Sequence, residues 1–216
     1  MCRNYTLTAA LLILGYNAPA VADIIVDQPV TSGQNSSQYF PDFPTCSGQA
    51  FDDFALNQTF RLTTFRAFGI EAVNSHPAAN TSVTAEIRSA ANISSPILLS
   101  AVGSEVGTDL VFDFGGATLG PGTYWISAYV TRPYGTGGQW YWSGHQPVTG
   151  NAAKYHNPGG GFGLGNDPVD LVSGQTSDLA FQLEGTPVPA PPAVVLVGIG
   201  LGTGYLVRRR SVRVPE

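Results

Sequence analysis

The chain consists largely of short stretches in which apolar and polar residues alternate, and the clearest of them is segment 123–130, TYWISAYV. Alternate residues of this segment, from Tyr124 to Val130, are apolar and share one face of an extended chain. Segment 118–122, TLGPG, comes immediately before it and has the composition of a turn. This pattern predicts a half-buried β-strand that follows a tight connection.

Similar segments recur at a spacing of roughly ten residues, and glycine, proline and asparagine separate them. These segments are 60–68, 83–87, 97–102, 110–114, 139–143 and 178–184. Many short strands joined by turns predict an all-β fold, an antiparallel β-sandwich of jelly-roll type. Three of the strands also predict which residues face the core. These residues are Phe60, Leu62 and Phe68; Val83, Ala85 and Ile87; and Leu179, Phe181 and Leu183.

The N-terminus has the layout of a secretory signal peptide. The apolar stretch 7–14, LTAALLIL, precedes the small residues Ala20 and Ala22, which fit an A-x-A cleavage site. We therefore predict a signal peptide over residues 1–22 and a mature chain that begins at Asp23. The alternative is a short buried N-terminal helix.

The C-terminus has three parts: a proline-rich linker at 187–192, an uncharged run at 193–207 and a basic tail at 208–216. The 15 uncharged residues would span roughly 22 Å as a helix, which is short of the ~30 Å hydrocarbon core. Arginines after an apolar run indicate the cytoplasmic side of a membrane. We expect a short transmembrane segment over 193–207, with the preceding domain on the opposite side.

This layout resembles the PEP-CTERM class of bacterial sorting signals. The residues that carry the resemblance are Val188, Pro189, Ala190, Pro191, Arg208, Arg209 and Arg210, and Ala190 stands where the most typical members have Glu. The resemblance implies processing by an exosortase-type protease and export to the cell envelope, the outer surface or the extracellular matrix. A plain single-pass membrane anchor remains the alternative.

The domain between the two ends also resembles jelly-roll ectodomains of other proteins with such tails. The segments that carry this second resemblance are 51–56, 69–70, 121–126 and 178–183. It implies a fold and a location, and it brings no catalytic residues with it.

Residues 23–186 are expected to form one domain with a strongly acidic balance. They contain five Lys or Arg residues and fourteen Asp or Glu residues. Nucleic-acid binding requires clustered basic side chains that displace counterions from phosphates. The composition therefore excludes nucleic acid as a partner.

An aromatic group, Trp140, Tyr141 and Trp142, is the main candidate for a binding site, together with Trp125. On a strand, Trp140 and Trp142 face one way and Tyr141 the other. The tryptophans either pack in the core, which we favour, or form a flat platform on which sugar rings stack.

A glycine-rich segment at 159–165 is followed by Asp167 and Asp170. We expect a flexible surface loop here. The alternative is a calcium site that uses both carboxylates, because calcium prefers oxygen ligands.

Other reactive side chains show no catalytic spacing. His76, His145 and His156 lack zinc-type spacing, and we expect them in exposed loops. Asp52 and Asp53 are adjacent, so on a strand they would point to opposite faces. Cys46 is the lone cysteine of the predicted mature chain, and we expect it to be a small buried side chain.

Three functions remain open at this point. We favour a non-enzymatic surface or matrix protein without a cofactor, which binds an exopolysaccharide or a matrix protein. The first alternative is a secreted hydrolase of glycans or esters on the same scaffold. The second is a purely structural protein that assembles through its strand edges.

Overall fold

The computed structural model describes residues 22–72, 75–171 and 177–189. The predicted signal peptide up to residue 21, the transmembrane segment 193–207 and the basic tail 208–216 lie outside the described residues. So do Ala20, Ala190, Pro191 and the three arginines of the sorting motif, whereas Ala22 is exposed and precedes the first strand. Within the described ranges, no helix has the length and apolar character needed to cross a membrane.

Strands dominate the described part of the chain. The first eight are β1 (Asp23–Gln28), β2 (Ser32–Ser36), β3 (Gln38–Tyr39), β4 (Gln49–Leu56), β5 (Phe60–Ala67), β6 (Gly69–Glu71), β7 (Ser82–Arg88) and β8 (Ile97–Val106). The others are β9 (Asp109–Asp113), β10 (Thr118–Leu119), β11 (Gly122–Thr131), β12 (Trp140–His145), β13 (Lys154–His156), β14 (Val169–Asp170), β15 (Asp178–Leu179) and β16 (Phe181–Pro187). A short helix α1 (Tyr134–Gly137) and two 3-10 turns, Pro44–Cys46 and Pro77–Ala79, complete the list.

The strands form two sheets. The larger has the order β1-β16-β5-β9-β8-β7-β11-β4-β13-β14, with β10 paired to β5 and β3 paired to β11. The smaller has the order β15-β12-β2, with β6 also paired to β12. Neighbouring strands are antiparallel except for β3 and β11, which are parallel. The fold is therefore all-β with antiparallel sheets, as expected, and it is consistent with a β-sandwich.

The centre of the core is an aromatic cluster around Phe65 of β5. Its ring centroid lies 5.3 Å from that of Phe112, 6.0 Å from that of Trp142 and 5.8 Å from that of Phe181. Trp142 belongs to the smaller sheet, whereas Phe65 and Phe181 belong to the larger one. The cluster therefore joins the two sheets by apolar packing.

Two of the predicted core faces are confirmed. Val83, Ala85 and Ile87 of β7 are buried, and so are Leu179, Phe181 and Leu183. The last three belong to two strands, however, because the chain leaves the smaller sheet after Leu179 and enters the larger one at Phe181. Ala180 lies at this junction, and its carbonyl accepts hydrogen bonds from the Phe68 amide at 3.1 Å and the Trp142 indole at 2.8 Å.

The predicted core face of β5 is wrong at Phe68. The register against β16 shifts between the pairs Leu183–Phe65 and Gly185–Leu62, which places one residue of β16 opposite two residues of β5. Such a bulge reverses the parity of the strand. Leu62 is buried as expected, but beyond the bulge Phe65 and Ala67 face the core and Phe68 is only half-buried.

Replacing Phe65→Ala should lower the free energy of unfolding by about 3–5 kcal/mol, because it removes a buried ring that the core cannot refill. Urea-induced unfolding followed by tryptophan fluorescence measures the change. Val102→Ala is the control, since Val102 is 81% exposed and its truncation should cost less than about 0.5 kcal/mol. Similar losses in the two variants would contradict the assignment of Phe65 to the centre of the core.

Candidate functional site

The tryptophans do not form a sugar-binding platform. Trp140 and Trp142 face the same way, as expected, but both are fully buried, and their ring centroids lie 6.4 Å apart. Their indole N–H groups donate to the carbonyls of Thr108 and Ala180, both at 2.8 Å. Trp125 is half-buried on β11 and belongs to a different sheet from the other two. The platform interpretation is therefore wrong for Trp140 and Trp142, because both rings are fully buried.

A different set of aromatic side chains lines an open cleft. Three adjoining cavities of about 300, 530 and 410 Å³ share Gln139 as a lining residue, and we call them together the aromatic cleft. Its exposed apolar side chains are Phe43, Tyr134, Phe162 and Leu164, which are 44–52% exposed. Cavities of this size are typical of ligand-binding sites.

The aromatic cleft lies where the two sheets approach each other at their outer strands. The cavity of about 530 Å³ is lined by residues of β2 and β14. These are the last strands in the order of the smaller and the larger sheet, respectively. Phe43 and Phe162, which lie in loops, and Tyr134, the first residue of α1, line the adjoining cavity. Segments that are far apart in sequence therefore build one surface.

Asp42 connects the loop that carries Phe43 to the backbone at Tyr134. Its carboxylate accepts hydrogen bonds from the backbone amides of Tyr134 and Gly135, both at 2.8 Å. The Gly135 amide, followed by other backbone donors, lowers the pKa of Asp42 below its ordinary value. Phe43 packs edge-on against Tyr134, with ring centroids 6.2 Å apart. Hydrogen bonds thus hold the backbone at Tyr134, and its exposed ring contacts the exposed ring of Phe43.

The glycine-rich loop carries Phe162 and is docked against the Pro44–Cys46 turn. The Gly161 amide donates to the Thr45 carbonyl at 2.9 Å. A Cβ atom at Gly159 or Gly161 would lie 2.6 Å from that carbonyl oxygen, so both positions require glycine. Asn157 closes the same contact, since its Nδ2 donates to the Thr45 carbonyl at 2.8 Å and to the Ser47 carbonyl at 2.7 Å.

A calcium site at Asp167 and Asp170 is not supported. The Asp170 carboxylate forms an ion pair with Lys154, and Asp167 is exposed. Among the described residues, no group of three or more His, Cys, Asp or Glu side chains is arranged to hold a metal ion.

Polar side chains form a hydrogen-bonded row at the centre of the aromatic cleft. Gln139 donates through Nε2 to the Ser36 hydroxyl at 2.7 Å, and its Oε1 accepts from the Tyr141 hydroxyl at 2.9 Å. Tyr141 points to the cleft because strand alternation sends its neighbours Trp140 and Trp142 to the core. Asn35 also lines the cleft, and its Nδ2 is buried without a hydrogen-bond partner among the described residues.

Two histidines and the cysteine differ from expectation. His145 and His156 are buried, whereas His76 is exposed as predicted. The His156 ring bridges two loops, since Nδ1 accepts from the Ile93 amide and Nε2 contacts the Asn166 carbonyl, both at 3.0 Å. Cys46 is half-buried and lines the aromatic cleft. The two histidines are the last residues of strands β12 and β13 and do not lie in exposed loops as expected, whereas Cys46 is more exposed than expected.

A buried carboxyl group links the two sheets at a second site. Asp52 of β4 accepts the amide of Leu179 in β15 at 2.7 Å and that of Asp53 at 2.9 Å. Gln28 lies beside it, and with its amide oriented to satisfy both ends, Nε2 donates to Asp52 at 3.2 Å and to the Leu179 carbonyl at 2.9 Å. Burial and, after it, the charge of Asp178 raise the pKa of Asp52 well above its ordinary value.

Asp53 and Asp178 anchor the loop that follows β12. Asp53 accepts the Asn151 amide at 2.8 Å, and Asp178 accepts the Thr149 amide. Asp53 and Asp52 thus bond to different segments, as expected for neighbouring residues on a strand. Burial raises the pKa of Asp178 to about 6.

Comparison of the chain with protein-family models and with curated proteins found no match. The aromatic cleft had not been predicted, because its lining residues come from segments that are far apart in the sequence. The signal available in the sequence was the presence of Phe43, Tyr134 and Phe162 in glycine- and proline-containing loops, where large aromatic residues have no strand to pack on.

The variant Asp178→Asn should reduce the loss of stability on raising the pH from 4 to 7. The raised pKa of Asp178, about 6, means that the folded state holds a proton that the unfolded state releases near pH 4. The folded protein therefore loses stability as the pH rises from about 4 to about 6. Thermal unfolding at several pH values measures the effect, and the exposed Asp27→Asn is the control, with a profile parallel to that of the original protein. Parallel stability profiles for all three proteins would contradict a raised pKa of Asp178 in the folded state.

Proposed function

We propose that this protein is an exported, envelope-sorted surface or extracellular-matrix protein, that it is not an enzyme, and that its jelly-roll-like sandwich binds polysaccharide in the aromatic cleft. The observation that carries the proposal is the combination of exposed aromatic rings with amide and hydroxyl groups in one cleft. Sugar rings present C–H faces to aromatic surfaces and hydroxyl groups to their edges, and this cleft offers partners for both.

The proposal of a non-enzymatic role is supported by the placement of the carboxylates. Glycoside hydrolysis typically requires a pair of carboxyl groups on either side of the scissile bond. Among the described residues that line the aromatic cleft, Asp170 is the only carboxylate, and it is paired with Lys154. The buried Asp52 does not line the cleft.

Sorting is proposed from the sequence of the two ends. The signal peptide 1–22 would direct export, and the motif around Pro189 would present the chain to an exosortase-type protease. The segment 193–207 would hold the chain in the membrane during processing, with the basic tail 208–216 on the cytoplasmic side.

Self-assembly is a second candidate function, and one observation favours it. Strand β8 exposes four apolar side chains, Ile97, Leu98, Val102 and Val106. Exposed apolar groups on one strand are a feature of protein contact surfaces. Under this alternative the protein elutes as oligomers in size-exclusion chromatography and does not bind polysaccharide.

Deletion of residues 189–210 should release the domain from the envelope, because the deletion removes the motif, the apolar run and the arginines together. Cell fractionation and the intact mass of the mature protein measure the outcome. The double variant Pro189→Ala, Pro191→Ala is the informative control, since it keeps the apolar run. Exosortase-type sorting predicts that this variant keeps its full C-terminal mass, whereas processing identical to that of the original protein would contradict it. Envelope retention of the deletion variant would overturn sorting through the tail.

The variant Tyr134→Ala should weaken binding to a retained polysaccharide by about two- to tenfold, as expected for one stacking contact of roughly 0.5–1.5 kcal/mol. Affinity electrophoresis in gels that contain the polysaccharide measures the change. Val102→Ala, on an exposed strand outside the cleft, should migrate like the original protein. Equal retention of Tyr134→Ala and the original protein would place the binding surface elsewhere.

A further inference from the structure

The lining of the aromatic cleft is almost free of charge. No lysine or arginine is found among its described lining residues, and His76 is the one basic side chain there. The carboxylate of Asp170 is compensated by Lys154. Carboxylate, sulfate and phosphate groups are typically recognised by arginine or lysine. The cleft therefore lacks the groups that would bind an acidic polysaccharide.

The charge of the whole domain acts in the same direction. Residues 23–186 contain fourteen acidic and five basic side chains, so the domain carries an excess of negative charge that repels polyanions. Such repulsion lowers the rate of encounter with acidic polymers, most strongly at low salt. An uncharged polymer is not subject to it.

Gln139 is the polar centre of the cleft, because it lines all three cavities. Its amide is held at both ends, by Ser36 and by Tyr141. A glutamine amide has two N–H donors and two acceptor positions, and each protein contact uses one of them. Among the described residues no further partner of this amide is found, so one donor and one acceptor remain, on the two terminal atoms of one planar group.

Two neighbouring hydroxyl groups of a sugar complement such a pair. Each hydroxyl can donate and accept, so one receives the free N–H of Gln139 while the other donates to Oε1. The entropic cost of ordering this amide has already been met in the free protein, which favours binding. Tyr134 and Phe162 line the same cavity as Gln139 and offer apolar surface there.

We infer that the aromatic cleft selects an uncharged polysaccharide and that Gln139 reads a pair of neighbouring hydroxyl groups on one of its sugars. This inference rests on the proposed polysaccharide-binding function and adds the class of polymer and the residue that recognises it. Tyr141 and Ser36 act as positioning residues, since they orient the Gln139 amide.

The test compares the full-length protein, purified in mild detergent, on two groups of polymers. The uncharged group is dextran, galactomannan and a soluble β-glucan, and the acidic group is alginate and chondroitin sulfate. The expected result is retention on at least one uncharged polymer, at least tenfold weaker retention on both acidic ones, and loss of retention when the hydroxyls of the bound polymer are methylated.

Gln139→Glu should weaken retention at least tenfold, because a carboxylate cannot donate to the ligand. Gln58→Glu introduces the same charge at an exposed residue that lines a separate cavity beside Pro187, and it should leave retention unchanged. If Gln139→Glu does not fold, as judged by its thermal transition, Gln139→Met replaces it, since methionine removes donor and acceptor without adding charge.

The outcomes separate this inference from the function on which it rests. Retention on an acidic polymer at least as strong as on the uncharged ones overturns the inference and leaves polysaccharide binding intact. Full retention of the folded Gln139 variant, or of the methylated polymer, overturns the role of Gln139. Failure to retain any of the five polymers counts against the proposed function and the inference together.

Discussion

The hydrogen bond from the Leu179 amide to the buried carboxyl of Asp52 joins the two sheets at the point where the chain passes from one to the other. An isolated buried carboxylate is costly, and backbone donors together with Gln28 offset part of that cost. Burial raises the pKa of Asp52 and of Asp178, so both carboxyl groups bind a proton more readily than they would in water. The same group of carboxyls anchors the loop after β12, so the connection between the sheets and the conformation of that loop depend on one polar cluster.

The aromatic cleft depends on the core through the alternation of strand β12. Trp140 and Trp142 are buried against the Phe65 cluster, with their indole N–H groups bonded to backbone carbonyls. Because these two side chains face the core, Tyr141 between them points to the opposite side of the strand. There its hydroxyl donates a hydrogen bond to Gln139. Because Trp140 and Trp142 are buried, they cannot stack on a sugar. Their burial also places Tyr141 on the face of β12 that lines the cleft.

Periodicity predicted eight of the sixteen described strands and most of their core faces, since side-chain alternation is a local property, but it missed β1, β4 and six shorter strands. It failed at Phe68, where the bulge between Leu62 and Phe65 arises from pairing with β16 and not from the sequence of β5 itself. The cleft and the carboxyl cluster could not be predicted for a related reason. Each is assembled from distant segments, and hydrogen bonds such as the one that the Tyr134 amide donates to Asp42 depend on how loops pack in three dimensions.

The arrangement of β4 relates the cleft to the C-terminal end of the described chain. At one end of this strand, Gln49 pairs with His156, next to the loop that carries Phe162. At the other end, Leu56 lines a cavity together with Asp23 and Pro187, and Val188 bonds to the Thr59 carbonyl. Eight residues of strand separate the two ends by roughly 24 Å. A tail that follows Pro189 and enters the membrane would therefore place the aromatic cleft on the side of the domain away from the bilayer, where a polymer outside the cell can reach it.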